Sequence, residues 1–127
     1  MLESLYQRDN YVAAKKLLDV VDLRHRALTS NIANAETPGY KRVDLDPAFQ
    51  TKLEKALRVK DVNQVQSFQP TLAIDKRAAA LRPDGNNVSI PSEMLEMNKN
   101  SLEFEFLTNY LTSSIKRLKM SITGRNE

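Results

Sequence analysis

His25 is the chain's single imidazole and stands between Arg24 and Arg26. A metal centre would need two or three further ligands, and the chain offers no cysteine and only scattered carboxylates. A packed or hydrogen-bonded place on a helix interface is expected for His25 instead. The carboxylate pairs Asp44/Asp46 and Glu103/Glu105 are two residues apart, a spacing that does not converge on a helix as an acid–base pair must. They read as surface charge. Ser113-Ser114-Ile115-Lys116 spells S-x-x-K, but the companion S-D-N and K-T-G boxes are missing, as is any G-x-S-x-G elbow. With 3 glycines, neither G-x-G-x-x-G nor G-x-x-x-x-G-K occurs to cradle a phosphate. The expectation is no catalytic site, no metal and no cofactor.

The pairs Lys15-Lys16, Lys41-Arg42, Lys76-Arg77 and Lys116-Arg117 hint at nucleic acid. Yet 19 basic residues face 16 acidic ones, for a net charge of +3. No part of the chain is a basic stripe, and Tyr and Phe do not interleave with the pairs as stacking platforms would. Solvated surface charge is favoured. A helical nucleic-acid-binding module is therefore the weaker reading; its mark would be binding that falls steeply with salt. A small helical export chaperone or adaptor, remaining in the cytosol, is a second alternative. Residues 1–30 hold no apolar stretch of signal-peptide or membrane-span length. The chain is thus expected to be cytosolic, or exported by a route that reads no cleavable hydrophobic signal.

The elements that would position these residues follow from periodicity. The 127 residues amount to one domain. Its expected class is all-α, with two long terminal helices paired as an elongated, coiled-coil-like hairpin around an irregular connector. In the N-terminal segment 1–9, Leu2, Leu5 and Tyr6 could form a small apolar face that folds on a partner, or merely a frayed end. Across 10–36, Tyr11, Ala14, Leu18, Val21, His25, Leu28, Ile32 and Ala35 recur at alternating steps of 3 and 4, a heptad seam. Thr37-Pro38 ends this helix, and Pro38-Gly39 fits the centre of a type II turn.

The connector, 37–90, holds an expected short helix capped by Asp46-Pro47 and running through Phe49, Leu53, Ala56 and Leu57. A short extended stretch is possible around 71–75, and a turn is expected at 83–86. The C-terminal helix, 91–124, is expected to start near Pro91 or Ser92 with a serine N-cap and to end at Gly124. Its seam is Met94, Met97, Ser101, Phe104, Thr108, Leu111, Ile115, Leu118 and Ile122. Acidic residues fill its first half and Lys116, Arg117 and Lys119 its last turns, which complements the helix dipole. Leu18, Val21, Leu28, Phe104, Leu111, Ile115, Leu118 and Ile122 are the expected helix-interface residues. Leu17, Leu23, Leu95, Leu102 and Leu107 lie outside the seams, and surplus apolar surface of this kind points to a partner.

Residues 30–41, Ser30-Asn31-Ile32-Ala33-Asn34-Ala35-Glu36-Thr37-Pro38-Gly39-Tyr40-Lys41, resemble the N-terminal signature of the bacterial flagellar axial proteins, in the pattern Ser-Asn-(Ile/Leu)-Ala-Asn-Ala-x-Thr-Pro-Gly-Tyr-Lys. The resemblance covers roughly residues 10–45 and 84–124, because the C-terminal heptad helix matches the other half of the family plan. A connector of about 50 residues is too short for the β-rich insertions of hook and distal rod members, which leaves the short proximal rod proteins of the basal body. Ser89-Ile90-Pro91-Ser92 departs from the family's Asp-Leu-Asp-x and bears on how the second helix is capped.

The resemblance implies a structural subunit that self-assembles and stacks in the proximal rod. It would link the membrane ring and export gate to the distal rod, transmit torque for motility, and reach the periplasm by type III export. Implied partners are further copies, FliE, FlgC, FlgF and export-gate proteins, with no nucleic acid and no membrane span. Ser30, Asn31, Ile32, Ala33, Asn34, Ala35, Thr37, Pro38, Gly39 and Tyr40 would form the assembly motif. Two roles stand open for Asn31 and Asn34: capping the carbonyls at the helix end, or bonding a neighbouring subunit to fix register. Tyr40 is expected to anchor the turn by packing.

Overall fold

Residues 2–33 contain neither proline nor glycine, so nothing local interrupts a helix once the heptad seam gives it a surface to bury. In the computed structural model, which describes residues 2–124 and the side chains of 8–124, this helix, α1, spans Leu2–Ala33. It starts eight residues before the expected position 10 and closes three before 36. The side chains of Leu2, Leu5 and Tyr6 lie outside the described residues. Then follow β1 (Val43–Leu45), α2 (Pro47–Arg58), α3 (Val62–Ser67), β2 (Leu72–Ile74) and α4 (Ile90–Thr123). The fold is mostly helical. No helix among the described residues is long and apolar enough to cross a membrane.

The α1 and α4 helices run antiparallel: Asn31 meets Glu93, the Val21 carbonyl meets Asn100, and Ala14 and Val21 cluster with Leu107. Val21 and Leu28 are buried; Leu18 and Leu111 are half-buried beside that cluster. The rest of the expected seam is not covered. Phe104 is 50% exposed, and Ile115, Leu118 and Ile122 are 53%, 63% and 76% exposed. The register explains this for Ile122 alone: contacting residue numbers sum to about 121 to 124, so Phe104 and Ile115 fall opposite α1 and yet stay exposed. Leu118 falls opposite the first turn of α1, and Ile122 projects beyond its end. His25, expected on the packed face, is exposed and lines a groove with Val21, Asp22, Asn100, Ser101 and Phe104.

The connector is more ordered than its composition implies. The expected short helix is α2: Pro47 opens it, and the Asp46 carboxylate accepts from the Ala48 N–H at 2.9 Å. Its i, i+4, i+7 residues Phe49, Leu53 and Ala56 are buried. The expected extended stretch is β2, which pairs antiparallel with β1 in the register Val43↔Ile74, Asp44↔Ala73 and Leu45↔Leu72. Neither β1 nor α3 was anticipated. The stop between α2 and α3 carries no glycine: Lys60 takes φ +57°, while the Asp61 and Lys60 N–H groups bond the Ala56 and Leu57 carbonyls. This is a Schellman stop written in side chains that do not advertise it.

Val20, Leu45, Phe49, Leu53, Ala56 and Val65 form a core joining α1, β1, α2 and α3, with Leu17, Leu23, Leu57 and Phe68 packed against it. Leu17 and Leu23 are therefore covered by the chain's own connector, and Leu107 by α1. Their surplus apolar surface needs no partner, contrary to expectation. Leu95 and Leu102 remain exposed at 55% and 67%.

The α4 helix begins at Ile90 rather than at Pro91 or Ser92, and its N-cap is Ser89, whose side chain makes no capping bond. The expected C-cap is present, with Gly124 at φ +65° and its N–H on the Met120 carbonyl.

The α1–α4 contact holds one polar defect. Asn100 is 1% exposed; its amide donates to the Val21 carbonyl at 3.0 Å, while its Oδ1 is buried without a partner. Such an acceptor costs about 1–3 kcal/mol, whereas the Val21 carbonyl keeps its place in the helix ladder. Asn100→Leu, a near-isosteric change, is expected to raise the unfolding free energy by about 1 kcal/mol. Urea denaturation would check this, and a loss of stability would show that the amide is needed.

Candidate assembly motif and the polar latch behind it

The candidate assembly motif begins on the last turns of α1, where a helix leaves carbonyls without intrahelical donors. Asn34 takes one of the two roles open to it: its amide donates back to the Ser30 carbonyl at 2.8 Å. A second asparagine from far along the chain completes the cap. The Asn86 amide, fully buried, donates to the carbonyls of Asn34, Ala35 and Thr37 at 3.1, 3.0 and 2.8 Å, and its Oδ1 accepts from the Val88 N–H. Residues 34–37 thus owe their course to the loop before α4.

Thr37 to Tyr40 form the expected turn. The Tyr40 N–H reaches the Thr37 carbonyl at 3.3 Å, and Gly39 takes φ +73°, the left-handed conformation that position i+2 of a type II turn requires. A Cβ at Gly39 would find the Asp84 carbonyl at 3.8 Å, an ordinary contact. The need for glycine is therefore conformational and not steric. Tyr40 is anchored through its hydroxyl, which donates to Asn31 Oδ1 at 3.1 Å and lies 3.2 Å from the Ser30 hydroxyl. Packing alone does not hold it.

Asn31 plays neither expected part. It is 0% exposed, and its amide donates to the Val43 carbonyl at 2.8 Å and to Glu93 Oε2 at 3.0 Å. Its Oδ1 accepts from the Val43 N–H at 2.9 Å and from Tyr40. Both donors and both acceptor positions are satisfied inside the chain, so Asn31 ties α1 to β1 and α4. Of the remaining motif residues, Ala35 is buried, Ser30 and Ile32 are half-buried, and Ala33, Thr37 and Pro38 are exposed.

Behind Asn31 lies a charge network that sequence reasoning missed. Glu93, on the first turn of α4 and 1% exposed, receives the Arg42 Nε. Arg42 extends Nη1 to Asp75 at 2.8 Å and Nη2 to Asp44 at 2.9 Å. Arg24 bridges Asp44 at 3.2 Å and Glu96 at 2.7 Å. Two guanidinium groups thereby join carboxylates from α4, β1 and the end of β2. Asp44, expected to be a surface charge, is part of this network, and its companion Asp46 is the α2 cap. Arg42 also fixes the main chain, because its N–H donates to Asn87 Oδ1 at 2.6 Å. The signal that could have found the network is local: Asn86-Asn87 stands between a turn and the apolar Val88, where solvated amides have no reason to be.

Burial pushes the Asp44 carboxyl up, but Arg24, the Leu45 N–H and Arg42 outweigh it and hold it below its usual range. Glu96 is likewise held low, because Arg24 and Lys99 outweigh its desolvation. Both arginines are raised despite burial, by the carboxylates they contact. A carboxylate whose folded pKa is depressed stabilises the fold above its unfolded pKa, and that contribution is lost as pH falls through the folded value. The melting temperature is therefore expected to hold at neutral pH and to fall progressively below about pH 4. Melting curves recorded across that range would check it; a profile flat into acid would exclude the network as a stabilising element.

Two of the four basic pairs contribute to the fold. Arg42 lies in the network, Lys41 Nζ bonds the Gly85 carbonyl, and Lys16 Nζ bonds the Phe68 carbonyl at 2.8 Å. That removes much of the nucleic-acid hint.

No family model matches the sequence. Among curated proteins, the chain is 36% identical to the flagellar basal body rod protein FlgB of Aquifex aeolicus over 115 residues, 89% of this chain and 92% of that one. It is 31% identical to the FlgB of Aeromonas hydrophila, covering 84% of this chain and 87% of that protein. With the FlgB of Escherichia coli K12 it shares 32% identity over 81% and 85% of the two chains. Identity at this level over nearly the whole length of both partners, with the Ser30–Lys41 motif at the centre of the latch, places the chain in the FlgB family of structural flagellar basal body rod proteins.

Proposed function

We propose that the chain is a subunit of the proximal rod that self-assembles and stacks with other rod proteins, linking the membrane ring and export gate to the distal rod and passing torque outward. The supporting observation is the uncovered end of the hairpin. Ile115, Leu118 and Ile122 continue the heptad seam of α4 past Leu111, which packs half-buried beside α1, and each is more than half exposed; a seam built for a helix calls for a helix. Neighbours would be further copies, FliE, FlgC, FlgF and export-gate proteins, and the subunit would reach the periplasm by type III export. The latch suits this role, because ion pairs and buried amides fix the angle between motif, connector and α4 in a part that carries load. Nothing in the role calls for catalysis, a metal or a cofactor.

The test is deletion of the gene followed by electron microscopy of purified basal bodies. Membrane rings without rod, hook or filament, restored by the intact gene, are expected. Complete flagella in the deletion strain, with no duplicate gene substituting, would overturn the assignment.

A further inference from the structure

The two-stranded sheet has two edges, and the chain closes one of them. The Asp46 N–H bonds the Thr71 carbonyl, and the Asp75 N–H bonds the Arg42 carbonyl. Bonded positions alternate along an antiparallel pair, so Asp44 and Ala73 form the bonded pair between those two. Val43 and Leu45 on β1, and Leu72 and Ile74 on β2, therefore turn their N–H and C=O groups away from the opposing strand. On the β1 edge the Asn31 amide accepts from the Val43 N–H and donates to its carbonyl, standing in for a neighbouring strand. On the β2 edge no described residue does this for Leu72 or Ile74.

Their side chains are open as well. Successive residues of a strand alternate faces, so Leu72 and Ile74 share the face on which Leu45 is buried. Leu72 is nonetheless 37% exposed and Ile74 58%. The core face of the sheet thus runs on past the core, to an edge whose backbone groups are unused. We propose that this edge binds an extended segment of a partner protein as a third strand, with apolar residues beside Leu72 and Ile74 and acidic residues at its N-terminal end.

Charge selects that occupant. Lys76 and Arg77 follow β2, are exposed, and pair with no carboxylate among the described residues. Asp75, their neighbour in sequence, is already held by Arg42 at 2.8 Å. An antiparallel third strand brings its N-terminal end to the C-terminal end of β2, and so to these two cations. A second copy is the poorer occupant. Residues 68–77 hold no acid besides Asp75, so pairing two β2 edges would gather the cations of both copies without a counter-charge.

The probe is acetyl-Glu-Glu-Thr-Val-Thr-Val-Thr-amide, titrated to millimolar concentration into the isotope-labelled full chain and followed by NMR. The Leu72 and Ile74 amide signals are expected to shift and their hydrogen exchange to slow, while Ala73, already bonded to Asp44, changes little. Ile74→Pro removes an outward N–H that the fold does not use, and should weaken binding about tenfold. Circular dichroism checks that it folds, and Leu72→Pro is the second block of the same edge. Lys76→Glu/Arg77→Glu should lower affinity on the order of tenfold, and a peptide with Lys-Lys in place of Glu-Glu should restore it.

Unmoved Leu72 and Ile74 signals, equal binding by both proline variants, or binding indifferent to the charge changes would each overturn the proposal. Self-association that Ile74→Pro abolishes would overturn it too, by assigning the edge to a second copy. None of these results bears on the rod assignment, which the gene deletion tests separately.

Discussion

Asn31→Ala is expected to cost about 3–5 kcal/mol of unfolding free energy, most of the margin of a small domain. The substitution removes four hydrogen bonds at a fully buried site. The Val43 N–H is left without its acceptor and Glu93 without one of its donors, and an unsatisfied buried group costs about 1–3 kcal/mol, more where it is charged. A cavity adds to the loss. Asn31→Asp should be no milder, since it sets a second carboxylate where an amide now lies 3.0 Å from Glu93. Asn34→Ala is the control. It removes a bond to the Ser30 carbonyl at a half-buried position where Asn86 already caps the neighbouring carbonyls, and about 1 kcal/mol is expected. Urea denaturation of the three variants decides the matter: equal losses at Asn31 and Asn34 would reduce the latch to ordinary helix capping.

The contrast between these two asparagines shows what a linear reading can reach. Asn34 bonds its own helix four residues back, so its role is local and follows from position. Asn31 bonds residues 43 and 93, and nothing in the spacing of 30–41 says which distant backbone it meets. The long helices were legible because their seams repeat over many turns, and α2 because Asp46-Pro47 announces it. The α3 start was not, because the α2 stop relies on Lys60 in a left-handed conformation without glycine. Leu17 and Leu23 were correctly seen as apolar surplus, but whether a partner or the connector covers them depends on chain geometry that periodicity does not carry. The same holds for Glu93. In the first turn of a helix an acid favours the dipole whether or not it is buried, so its sequence position gave no hint that it would anchor a network.

Arg42→Met is expected to destabilise the fold by about 3–5 kcal/mol, the usual cost of removing one partner from a buried ion pair. Among the described residues, Arg42 alone touches Glu93, Asp75 and Asp44 together. Without it Glu93, 1% exposed, keeps the Asn31 amide as its one side-chain counterpart among the described residues. The loss is a pairing effect, and a second change should reveal it as such. Glu93→Gln in the Arg42→Met background removes the stranded charge while keeping an acceptor for Asn31, and it should recover stability with a coupling of about 1–3 kcal/mol between the sites. Additive losses would mean that Arg42 acts through its alkyl stem alone. Acid supplies an independent check. Part of what Arg42 contributes is its pairing with Asp44, whose carboxyl is held below its usual range. That part exists only while Asp44 is ionised, so the gap between wild type and Arg42→Met should narrow as pH falls below about 4. A gap that stayed constant into acid would place the effect of Arg42 outside the charge network and would leave the joint between the motif and α4 resting on Asn31 and Asn86.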